Sequence, residues 1–251
     1  MRDIRTEARK HFGFFSICAF VLLTAFTLEE LIDSHGAVLD AVWVFAVILV
    51  SSGAAFYVGA QIFMFLVLQR DTLLHLSTHP PLRKFFVKTG PLSLGFAAVG
   101  LVSLLASTTM WPDQDRLAAA VAYAVCAELV SSIALVSSAW VLGPAAARFA
   151  GFYPRLLVYA GGLAALIGLQ IAALWQLADL GGTKWLVGGS TSFSGYPVYC
   201  GPLAISIGTP FSFDPTGPYA LGLGLNLLWA VLAALVLLLQ SRRHRTRLRA
   251  G

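Results

Sequence analysis

Six apolar runs, at 12–28, 41–68, 89–107, 117–142, 153–177 and 219–240, are the strongest constraint on this 251-residue chain. A helix needs roughly 20 apolar residues to cross the hydrocarbon layer of a bilayer. The runs are of that scale. Inside lipid each backbone N–H and C=O has to be satisfied within the segment itself, and a helix does this. The expected fold is therefore all-α, a polytopic membrane protein with six transmembrane helices. Composition agrees, since hydrophobic residues make up 58% and charged residues 12%. A soluble domain carries about 25% charged residues. The run at 41–68 is long enough to tilt or to project beyond the membrane. The run at 12–28 follows basic residues as a secretory leader does. It lacks a small-x-small cleavage site and is followed by Glu29 and Glu30, so it reads as a retained span.

Charge gives the orientation. With six spans both termini lie on one side. Of the 17 lysines and arginines, only Arg116 and Lys184 fall on the other side. Basic residues accumulate on the cytoplasmic side of membrane proteins, so both termini are expected to be cytoplasmic in a multi-pass protein of the cell membrane. Glu29, Glu30, Asp33, Asp40, Asp113, Asp115, Asp179 and Asp214 fall outside. The basic surplus is thus an orientation signal, and nucleic acid is not an expected partner.

The whole chain, 1–251, reads as one transmembrane domain, with no internal repeat and no soluble domain. Residues 1–11, "MRDIRTEARKH", are expected at the inner interface, either as a short helix lying on the membrane or as a solvated basic tail. Residues 241–251 form a basic cytoplasmic tail suited to anionic lipid headgroups. The outer segment 178–218 is rich in Gly, Ser, Pro and aromatics, yet 198–213 is too apolar for water. It is expected to re-enter the outer leaflet before the last helix, its irregular backbone covered by protein.

The sequence supplies no catalytic constellation. The five histidines, His11, His35, His75, His79 and His244, all fall outside the six runs, which removes the base that an intramembrane serine protease needs and the paired ligands of a membrane haem. "LEELID" at 28–33 has adjacent glutamates without the arginine that a Glu-Glu-x-x-x-Arg protease pattern requires. There is no G-x-x-x-x-G-K-[ST] phosphate loop and no G-x-S-x-G elbow. Cys18, Cys126 and Cys200 form no CxxC pair, and no metal site is expected from them. His75 and His79 are four apart, a spacing that can share an ion on a helix face. Pro80 follows at once and biases His79 away from helical geometry, so the pair reads as polar residues on a connector.

Polar residues inside the runs are few: Gln61, Glu128, Gln170 and Asn226. Glu128 lies near the middle of its run, where an ionisable group is costly and is by default a functional candidate. Small residues crowd 51–60, 131–139 and 160–166. They permit close helix packing, and the serine-rich faces could alternatively line a cavity.

The inner connector after the second run reads "DTLLHLSTHPPLRKFFVKTG" at 71–90. It offers Leu73, Leu74 and Leu76, then Pro80, then Arg83, Lys84 and Lys88. Together with a basic segment before the first span and a semi-apolar outer segment before the last, this layout resembles the permease subunits of the ABC type-2 exporter family. The resemblance covers nearly the whole chain, mostly as architecture. It implies that residues 70–88 form a cytoplasmic coupling element that docks into a separate ABC ATPase subunit. It also implies a second permease subunit, identical or related, and a translocation path for an apolar or amphipathic substrate such as a drug, lipid or peptide. Gln61, Glu128, Gln170 and Asn226 are candidates to line that path. This chain would then hold no cofactor and would not be an enzyme; ATP and Mg would bind on the partner subunit. An accessory or scaffold membrane protein, or a channel-like pore without an ATPase, would share the six-span layout.

Overall fold

The computed structural model describes residues 2–31, 37–69, 81–108, 114–180 and ten positions within 227–239. Five helices are bounded: α1 (Arg2–Leu31), α2 (Ala37–Leu66), α3 (Pro81–Thr108), α4 (Gln114–Ala146) and α5 (Phe152–Leu180). The ten positions within 227–239 are also helical, inside the last apolar run, and no strand occurs among the described residues. The fold is all-helical.

Among the described residues, three helices are long and apolar enough to cross a membrane by length and composition, over Ile4–Leu28, Leu49–Leu66 and Arg83–Val102. Shorter apolar stretches occupy Ser132–Ala146 and Phe152–Leu166. The outward faces are apolar as well. On α2, Phe45, Leu49 and Phe56 are 73%, 72% and 79% exposed, and their spacing puts them along one stripe. Exposed apolar surface on this scale suits lipid better than water.

Helices α2 and α5 start and stop within about four residues of their apolar runs. Helices α1 and α3 do not. Helix α1 continues without a break from Arg2, ten residues ahead of its run, and α3 begins at Pro81, eight residues ahead of Thr89. Proline suits a first helical turn, because its fixed φ matches and its missing N–H would be unsatisfied there anyway. Pro91 and Pro144 lie inside α3 and α4. Each removes one backbone donor, and packing on neighbouring helices keeps the helix continuous.

Helix α1 packs on α2 and most extensively on α3; α2 also meets α3 and α4; α4 bridges α3 and α5. Leu22, Val58, Ile62, Leu92, Val99 and Val136 are fully buried between them. Glycine allows two close approaches. A Cβ at Gly95 of α3 would collide with the Phe15 ring of α1, and one at Gly143 of α4 would collide with Leu66 of α2. Small residues at crossing points let helix backbones come together where no hydrophobic force distinguishes helix from lipid.

The small-residue face of α4 is packed. Ser132, Ser137 and Ser138 are buried, as is Ser51 of α2. Ser132 donates to the Leu129 carbonyl at 2.8 Å and Ser138 to the Ala134 carbonyl at 2.7 Å. These hydroxyls are satisfied by their own helix, which lets an apolar neighbour lie against them.

Candidate functional site

Contacts between helices fix one end of the bundle. Glu7 of α1 meets Lys88 of α3, His11 of α1 meets Tyr57 of α2, and Tyr159 of α5 meets Gly59 of α2. Trp140, late in α4, lies 5.5 Å from the Phe65 ring of α2 and 5.0 Å from the Phe85 ring of α3. The first turns of α1, α3 and α5 therefore gather with the last turns of α2 and α4. Arg5, Arg9, Lys10, Arg83, Lys84, Lys88, Arg148 and Arg155 all lie in these turns or the short α4–α5 link.

Two cationic side chains hold this end together. Arg155 of α5 donates from Nε to the Phe149 carbonyl at 2.7 Å and from Nη1 to the Val67 carbonyl at 3.4 Å. The second bond reaches the end of α2, whose orphan carbonyls need donors. There the Phe63 carbonyl accepts from Val67 N at 2.8 Å and from Leu68 N at 3.4 Å, and Gln69 turns into the left-handed region at φ 50°. This is how a helix commonly closes before a change of direction.

Lys88 is the other. Its Nζ lies 2.5 Å from Glu7 Oε1, and both side chains are buried, 4% and 7% exposed. Glu7 Oε2 also receives Lys10 Nζ at 2.8 Å, from the half-exposed side chain one turn on. Lys88 Nζ further stands 5.6 Å from the centroid of the Phe65 ring, a cation–π distance. The first turn of α3 carries no acid. Cations near a helix N-terminus oppose its dipole, so the compensating carboxylate comes from α1. Taking one partner away from a buried pair costs about 3–5 kcal/mol, because the other charge is left alone in a low-dielectric site.

His11 and Tyr57 extend the cluster to α2. His11 Nδ1 and the Tyr57 hydroxyl oxygen are 2.9 Å apart, and the Tyr57 ring stacks on Phe14 at 3.9 Å between centroids. His11 Nε2 is buried and faces Glu7 Oε1 at 3.5 Å without a hydrogen bond. By sequence His11 stood outside the apolar runs. It is in fact 3% exposed and inside the apolar window of α1, so one histidine does belong to a candidate span.

The sequence-predicted coupling residues divide at the start of α3. Arg83 is exposed and Lys84 half-buried on its first turns, and Lys88 is buried one turn further. Leu73, Leu74, Leu76 and Pro80 lie outside the described residues, as do His75, His79 and all of the outer segment 178–218 beyond residue 180, where α5 ends. Among the path candidates, Gln61 is half-buried on α2 beside fully buried Ile62. Glu128 and Gln170 are helical positions of α4 and α5 whose side chains lie outside the described set, and Asn226 lies outside it entirely. Glu7 was not singled out by sequence. The available signal was local: an acid within a basic segment, with Lys10 and His11 three and four residues on, hence on the same helix face.

Fold and site together define an all-helical chain with helices of membrane-crossing length and a basic, ion-paired end. No family model, no curated protein and no solved structure matches the chain.

Proposed function

We propose that this chain is the permease subunit of an ATP-driven exporter in the cell membrane, with both termini cytoplasmic. A separate ABC ATPase subunit would supply ATP hydrolysis, and a second permease subunit would complete a path for an apolar or amphipathic substrate. The observation that carries this reading is the position of Arg83 and Lys84. They stand on the first turns of α3, immediately after the connector with Leu73, Leu74, Leu76 and Pro80. They share the bundle end where α1, α3 and α5 begin and α2 and α4 finish. A cytoplasmic subunit gripping that point would act on several helices at once, which is what alternation between two states of a transport path requires. The polar residues Gln61, Glu128, Gln170 and Asn226 are the in-span groups suited to line the path.

The test is affinity purification of the tagged full chain from native membranes in mild detergent. The expected result is a stoichiometric partner with nucleotide-binding motifs and ATP hydrolysis by the purified complex. Recovery of the chain without an ATPase, or with only membrane partners, would favour a scaffold or pore and overturn the exporter reading.

A further inference from the structure

The buried pair Glu7–Lys88 joins two helices that are 81 positions apart in sequence, at the end where α3 begins. Its surroundings are specific. Lys10 holds the second carboxylate oxygen from α1, Phe65 of α2 faces Lys88, Tyr57 of α2 holds His11, and His11 leaves one buried nitrogen without a hydrogen bond. A pair used only for packing could be replaced by apolar residues of similar volume with little loss or some gain in stability. Here the two charges occupy the one place where the first turns of α1, the first turns of α3 and the last turns of α2 all meet. Two turns further along, the Phe15 ring of α1 lies against Gly95 of α3.

The geometry points to a mechanical latch: Glu7 and Lys88 fasten the start of α1 to the start of α3, so that a load applied at Arg83 and Lys84 moves both helices as one body. Arg83 and Lys84 precede Lys88 by five and four residues, so they ride on the same stretch of continuous helix. A push on that stretch reaches Lys88 through hydrogen-bonded backbone, then Glu7 through the ion pair. Without the pair, the first turns of α3 could move without carrying the first turns of α1, while the packing about Phe15 and Gly95 still joins the two helices further along. Glu7 and Lys88 are positioning residues in this scheme, and they touch no substrate. The latch itself rests on the geometry alone; its consequence for ATP turnover rests on the exporter reading above.

The experiment uses the full chain in phosphatidylethanolamine–phosphatidylglycerol nanodiscs, its native cysteines replaced by alanine. Spin labels are placed at the exposed positions Phe12 of α1 and Phe86 of α3. Pulsed electron-resonance spectroscopy then reads the distance distribution between them. The parent chain is expected to give one narrow distribution. The double variant E7Q/K88M removes both buried charges and leaves only the half-exposed Lys10 to be solvated by water; it is expected to keep its helical circular-dichroism signal and to broaden the distribution. E7D keeps both charges but withdraws the carboxylate by one methylene, and is expected to broaden it as well. K88R, which preserves the pairing, is expected to stay narrow. Parent-like distributions in both E7Q/K88M and E7D would overturn the latch. A parallel purification of E7D tests the consequence: an ATPase that stays bound while its turnover falls fits the latch driving transport. An ATPase absent even from the parent preparation removes the exporter reading, and the distance distributions still decide the latch.

Discussion

Tyr159 of α5 donates its phenolic proton to the Gly59 carbonyl of α2 across 3.0 Å, and its ring lies 5.1 Å from that of Phe63. The residue is 3% exposed. One side chain thus fixes the position of α5 against α2 by a polar contact at its tip and an apolar contact along its body. Tyr159→Phe removes the first and keeps the second. Interhelical hydrogen bonds in membrane proteins are worth about 0.6 kcal/mol on average, because the separated helices find other partners. A loss of that size is expected in thermal or denaturant unfolding of the detergent-solubilised chain. Tyr159→Ala, which also forfeits the ring packing, should cost about 3–5 kcal/mol.

The α1–α3 crossing predicts a different pattern. Gly95 is occupied from the far side by the Phe15 ring, so Gly95→Ala forces one of them to move. Overpacking of this kind costs about 1–3 kcal/mol. Phe15→Leu made together with Gly95→Ala should recover part of that loss, since the two changes share one volume. Unfolding midpoints of the single and double variants check this. Additive losses would show that the ring is not what limits position 95.

Backbone conformation supplies a pair of opposite effects at the basic end. Gln69 sits at φ 50°, a region that costs an L-residue about 1–2 kcal/mol relative to glycine. Gln69→Gly should raise stability by somewhat under ~1 kcal/mol, the gain being offset in part by the freedom glycine adds to the unfolded chain. Gly151, in the α4–α5 link, sits at φ 87°. Gly151→Ala should lower stability by about 1–3 kcal/mol through strain, although its Cβ would have ordinary room, with Pro154 Cδ at 3.6 Å. Melting curves of the two variants should shift in opposite directions.

The apolar runs located the helices well where hydropathy alone decides where a helix stops. Helix α2 and run 41–68, or α5 and run 153–177, differ by no more than about four residues at either end. Hydropathy failed where a charge is buried by a partner. Lys88 read as the boundary of a span, and Glu7 as part of a solvated or interfacial segment. Each is buried within the bundle against the other, 81 positions away. A window along the sequence cannot see that pairing, so both helices began too late. The serine-rich stretch 131–139 left packing and cavity open. The buried Ser132 and Ser138, each bonded to its own helix, fit packing. His11 was set aside as lying outside the spans, although it directly precedes run 12–28 and is buried against Tyr57 of α2.

Arg83 and Lys84 are where the proposed function meets the surface. Both stand near the N-terminus of α3, where cations are unfavourable to the helix dipole. Helix stability alone therefore does not account for two of them side by side. Charge reversal, R83E/K84E, should be neutral to mildly favourable for α3 itself, by about 0.3–1 kcal/mol for each residue at the dipole. The same change turns an attractive surface into a repulsive one for an acidic cleft on a cytoplasmic subunit. Like-charge contacts at an interface cost several kcal/mol. The expected outcome is a chain that still inserts but that no longer retains the ATPase through purification. Insertion is read by protease protection of the tagged termini, and association by the amount of ATPase in the eluate. Retention of the ATPase at parental levels would remove these two residues from the docking surface. A simultaneous fall in the unfolding midpoint would instead show that their contacts within the chain outweigh the dipole.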